Sequence, residues 1–119
     1  MSKNPGLSLF GLKNCDTCKK ALKALKEAGH EPGFHDVRAD GVTKAYLTKW
    51  AKAAGWEKLL NKSSTTWRGL SDAEKEGVTE QKALALMAEH PTLIKRPVIE
   101  KGPTQVFVGW SKDVQDRVL

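Results

Sequence analysis

The sequence predicts an α/β fold built on a mixed four-stranded sheet, and three observations lead there. The apolar run LSLFGL at residues 7–12 leads directly into apolar residues at helical spacing. A second strand pattern follows that helix, as a parallel crossover requires. Near the C-terminus, two further strand patterns joined by a turn precede a last amphipathic helix. At 119 residues the chain supports one hydrophobic core, so residues 1–119 are expected to form a single domain.

Leu7 to Leu12 reads as a buried strand ended by Lys13-Asn14. Beyond it Cys18, Ala21, Leu22, Leu25 and Ala28 recur at helical spacing until Gly29 stops the helix. Asn14 is the expected N-cap, which puts Cys15 in the first turn and Cys18 one turn on, facing the core. Pro32-Gly33 opens a second strand, Phe34 to Val37, parallel to the first, with Arg38 beyond it assigned no role. Asp40-Gly41 is a turn, and Val42 to Ala54 a second amphipathic helix carrying Tyr46, Leu47 and Trp50 up to Gly55. Residues 56–70 join two leucines to the polar run NKSSTTWRGL and resist assignment.

Ser71-Asp72-Ala73-Glu74 has the capping-box spacing and opens a short helix. Thr79 to Glu89 is a clearer helix, with Ala83, Leu84, Leu86 and Met87 on one side and His90-Pro91 as its stop. Val98 to Glu100 and Gln105 to Val108 are strands joined by the turn Lys101-Gly102-Pro103-Thr104. Ser111 caps a final helix that buries Val114 and Val118. This order, βαβ, a helical insertion, then ββα, is the thioredoxin layout, in which a cysteine pair follows the first strand.

Several function classes recede on composition. The net charge of +6 is spread along the chain, and Lys19, Lys20, Lys23 and Lys26 fall on the outer side of one helix, a solvated face rather than a nucleic-acid footprint. The four tryptophans form no spaced stacking ladder, so no nucleic-acid partner is expected. No apolar run approaches the ~20 residues that span a bilayer. Residues 1–6 lack the apolar region of a secretory signal, so no membrane partner and a cytoplasmic location are expected.

What remains is the purpose of KNCDTCKK, which holds both cysteines. A permanent disulfide is not expected where thiols are kept reduced. One CxxC supplies two metal ligands where a structural zinc site needs four, and His30, His35 and His90 do not complete the set, so no metal is expected. A reactive thiol is left. Cys15, at a helix start, is the candidate nucleophile, its thiolate favoured by the helix N-terminus and by Lys13, Arg68 and Arg96, with Asp16 opposing. Cys18 either resolves an intermediate on Cys15 or packs in the core; both readings stay open.

The run FGLKNCDTCKKA, the later TTWR, the segment MAEHPTLIKRPVI and the closing VGWS together resemble the arsenate reductase-related family (ArsC/Spx type), most of all its small YffB branch. The resemblance covers residues 7 to 118 in order. It implies a thioredoxin-like domain, a nucleophilic Cys15, a cis Pro97 beside it, and anion-binding arginines at Arg68 and Arg96. Asn14, Arg68, Arg96 and Pro97 are then the expected co-substrate contacts, and Cys15, Cys18 and Arg96 the catalytic set. Arsenate reductases of the family carry a third arginine where this chain has Gly109. The expected activity is therefore thiol–disulfide exchange with glutathione as co-substrate, acting on a small-molecule or protein thiol or disulfide. The alternatives are a redox regulator that binds RNA polymerase, as Spx members do, and a genuine arsenate reductase.

Overall fold

An inner strand needs apolar residues to bury, and LSLFG supplies Leu7, Leu9 and Phe10. In the computed structural model, which describes residues 7–102 and 105–119, this segment is β1 (Leu7–Gly11). β1 pairs in parallel with β2 (Gly33–Asp36), Leu9 opposite Phe34, and antiparallel with β3 (Val98–Lys101), Leu9 opposite Ile99. β4 (Gln105–Val108) pairs antiparallel with β3, giving the order β2-β1-β3-β4. This is the mixed four-stranded sheet of a thioredoxin-like α/β fold. Of the turn expected between β3 and β4, Pro103 and Thr104 lie outside the described residues.

The described residues up to Asp40, with those from Arg96 onward, make one compact unit, and Gly41–Lys95 a second. In the first, α1 (Asp16–Glu27) lays Cys18, Ala21 and Leu25 on Leu7, Leu9 and Ile99, with Val114 and Val118 of the C-terminal helix (Lys112–Val118) completing the buried cluster. The lysines at 19, 20, 23 and 26 are exposed, as a solvated face requires.

Beyond one-residue shifts at the ends of β1, β2 and β3, two boundaries in this unit differ from the sequence reading in ways that bear on the site. The N-cap of α1 is Cys15, not Asn14. Cys15 N–H donates to the Leu12 carbonyl at 3.2 Å, closing a turn, and the Cys15 carbonyl accepts from Lys19 N–H at 3.0 Å, opening the helix. Val37 belongs not to β2 but to the short α2 (Val37–Asp40), because the Asp36 side chain accepts the N–H groups of Arg38 and Ala39 and turns the chain out of the sheet.

The second unit is helical. α3 (Lys44–Ala54) starts two residues later than the Val42 expected, because the Thr43 hydroxyl accepts Tyr46 N–H; it buries Leu47, Trp50 and Ala51 and leaves Tyr46 exposed. The unassigned stretch resolves into α4 (Trp56–Leu59) and α5 (Thr65–Arg68), the latter capped by Ser64. α6 (Asp72–Lys75) opens on the expected Ser71–Glu74 capping box, and α7 (Glu80–Glu89) buries Ala83, Leu84, Leu86 and Met87. A 3-10 turn, Pro91–Leu93, follows, and Leu60 bridges Ile94.

Candidate active site

β1 and β2 run parallel, so their C-terminal ends open side by side, the place where α/β folds bind ligands. Three segments meet there around a cavity of about 470 Å³. Leu12 to Cys15 arrive from β1, Asp36, Arg38 and Ala39 from β2, and Arg96 from the entry to β3. The Arg96–Pro97 peptide is cis and Pro97 is buried.

Cys15 is half-buried and lines the cavity, and Cys18 is fully buried; both are free thiols. The pair is closely fitted. A methyl group added at Gly11 would run into Cys18 Sγ, so the absent side chain of this strand residue makes room for the second thiol. Burial raises the Cys15 pKa, but the backbone N–H of Cys18, the Cys18 thiol and the Arg96 guanidinium together outweigh it and hold the thiol below its ordinary value. The Cys15 side chain makes no helix-capping bond of ordinary geometry, yet that same N–H lies close enough to favour the thiolate.

Cys18 goes the other way. Burial, then the hydrogen bond to Cys15 and the charge on it, push its pKa up to about 12. The two sulfurs are driven apart: ionisation of Cys15 is favoured over that of an ordinary thiol, while Cys18 is held as a thiol.

The structure brings Asn14, Cys15, Cys18, Arg96 and Pro97 together within the first unit. Arg68 lies in the second unit, exposed, with Nη2 donating to the Ser63 carbonyl at 3.1 Å, and it is not among the residues lining the cavity. Gly109 is buried at φ +87, its N–H donating to the Pro97 carbonyl at 2.8 Å. That backbone conformation suits glycine and strains an arginine.

Sequence reasoning missed Asp36 and Arg38. Asp36 accepts from Ala39 N–H and Arg38 N–H, each at 2.9 Å, and from Lys13 N–H at 3.3 Å, and its carboxyl is held below the usual range, first by the Ala39 N–H. One carboxylate thus ties the loop after β1 to the turn after β2. The available signal was position: a charged triplet, Asp36-Val37-Arg38, at the C-terminal end of the strand paired in parallel with the cysteine strand. Elsewhere, His35 stacks on Phe10 at 4.6 Å, and His90 pairs with Glu89 at 3.0 Å in the second unit.

The family model described as "ArsC family" matches residues 10–117. An uncharacterized protein of Haemophilus influenzae is 47% identical over 93 residues, 78% of this chain and 82% of that protein. Among solved structures, the YFFB (PA3664) protein superposes with a TM-score of 0.89 at 40% identity, covering 95% of this chain and 98% of the other. An arsenate reductase (ArsC) related protein from Brucella melitensis does so with a TM-score of 0.76 at 32% identity, covering 98% and 97%.

Proposed function

This chain belongs to the ArsC family, and from that premise we propose that it is a glutathione-dependent thiol–disulfide oxidoreductase with Cys15 as nucleophile, working as a single domain in the cytoplasm. The observation that carries the reading is the split between the two sulfurs, Cys15 pushed toward thiolate beside Arg96 and Cys18 pushed up to about 12.

The Cys15 thiolate attacks the glutathionyl sulfur of a mixed disulfide, R–S–S–G. A Cys15–glutathione disulfide forms, and R–S⁻ leaves and takes a proton. A second glutathione thiolate attacks the glutathionyl sulfur of that intermediate, giving glutathione disulfide and restoring the Cys15 thiolate. The sum is R–S–S–G plus one glutathione thiol giving R–SH and glutathione disulfide. Arg96 stabilises charge on Cys15 as it attacks and leaves. Cys18 donates a hydrogen bond to Cys15 and, being buried and neutral, does not compete as the resolving thiol.

A cycling Cys15–Cys18 disulfide, which the redox-regulator alternative needs, runs against the burial of Cys18. Arsenate reduction lacks the third arginine at Gly109. Losing one charged donor to a buried oxyanion costs about 1.5–3 kcal/mol, roughly 10- to 150-fold in rate. Arsenate reduction by the purified protein with glutathione is expected to stay at background, and robust turnover would show that an arginine in place of Gly109 is not required.

The direct test compares the parent and Cys18→Ala on a glutathionylated peptide with glutathione as reductant. Both should turn over, the variant slowed about 2- to 10-fold by the loss of one uncharged donor. A Cys18→Ala protein as inactive as buffer would replace this cycle with a dithiol one, and an inactive parent would remove glutathione from the reading.

A further inference from the structure

Lys13 and Arg38 occupy the same cavity as Cys15 but take no part in the chemistry described above. Their backbones are fixed to each other: the Asp36 carboxylate accepts Lys13 N–H on one oxygen and Arg38 N–H on the other. That carboxylate is the anion facing the two cations. Its oxygens are taken up by three backbone N–H groups, and the Lys13 ammonium offsets part of its charge. Arg38 is exposed, its guanidinium makes no hydrogen bond or salt bridge among the described residues, and the residue lines the cavity together with Arg96.

Resting on Cys15 as the reactive thiol of the proposed function, the geometry points to an outer anion subsite formed by Arg38 with Lys13, which selects thiols and disulfides that carry a carboxylate near the reacting sulfur. A planar guanidinium without a partner suits a carboxylate, and an ammonium held at the same rim adds charge without adding shape. Neutral thiols of equal size gain nothing from the pair. Arg38 is thus a specificity residue, separate from Arg96, which acts on Cys15 itself.

The test uses two alkylating probes of similar size on the full chain, anionic iodoacetate and neutral iodoacetamide, so that it reads the subsite without requiring turnover. Arg38→Ala should slow modification of Cys15 by iodoacetate about three- to tenfold and change the iodoacetamide rate less than about twofold, with Arg38→Lys retaining most of the preference. Arg117→Ala, on the C-terminal helix with its guanidinium on Asp113, should change neither. With glutathione, Arg38→Ala should raise KM and leave kcat nearly unchanged, while turnover with uncharged 2-mercaptoethanol stays put. An unchanged iodoacetate-to-iodoacetamide ratio in Arg38→Ala overturns the subsite. If the ratio falls but the parent shows no glutathione turnover, the subsite stands and the glutathione reading is the one that fails.

Discussion

Cys15→Ser should lose thiol–disulfide exchange by on the order of 10³-fold or more while keeping its fold. A serine hydroxyl matches the thiol in shape, but it is not ionised near neutral pH, so the N–H of Cys18 and the guanidinium of Arg96 have no anion to stabilise. The variant also separates the two sulfurs. With the neighbouring charge gone, Cys18 should titrate below its parent value of about 12, yet burial, the largest cause of its shift, remains, so it should stay unreactive toward iodoacetamide near neutral pH. Turnover assays with peptide mapping of labelled cysteine check both parts. Appreciable exchange by Cys15→Ser, or rapid labelling of Cys18 in it, would move the nucleophile to the second cysteine.

The elements that sequence located well are those whose signal is local. LSLFG is apolar enough for an inner strand, Ser71 and Glu74 close a capping box within four residues, and Ser111 starts the last helix as its hydroxyl dictates. α4 and α5 were not legible because each is a single turn, too short for helical periodicity to register, and the polar run NKSS spends its side chains on local caps such as Ser64. Asn14 is the better cap by propensity, yet the turn closed from Cys15 N–H to Leu12 hands the cap to the cysteine. Of the candidate site, Cys15, Cys18, Arg96 and Pro97 were legible through motifs carried in sequence. Arg38 and Asp36 were not: the parallel pairing of β2 with β1 was legible, but the turn in which the Asp36 carboxylate accepts the Arg38 and Ala39 N–H groups, which takes the chain out of the sheet at the cavity, reads in sequence as a continuing strand.

Arg96→Ala should raise the pH at which Cys15 becomes reactive and lower glutathione-dependent turnover together. Two of the influences that hold the Cys15 pKa down, a side-chain hydrogen bond and a direct charge interaction, come from this guanidinium. The sign follows from the thiol's chemistry: the thiolate forms above its pKa, and removing a cation moves that pKa upward, so at neutral pH a smaller share of Cys15 is nucleophilic. Iodoacetamide labelling followed across pH should show the midpoint displaced upward, with parent and variant rates converging at alkaline pH where both are fully ionised. In turnover, the loss of one charge-assisted hydrogen bond, about 1.5–3 kcal/mol, corresponds to roughly 10- to 150-fold in kcat/KM. Arg38 lines the same cavity and is unsuitable as the comparison; Arg117, exposed and 3.4 Å from Asp113, serves instead. Because Arg96 is only partly buried, thermal unfolding should shift little, which keeps the effect attached to the site. A variant with the parent's labelling midpoint and the parent's turnover would make Arg96 an ordinary surface arginine, and the favoured charge state of Cys15 would then rest on the N–H and thiol of Cys18 alone.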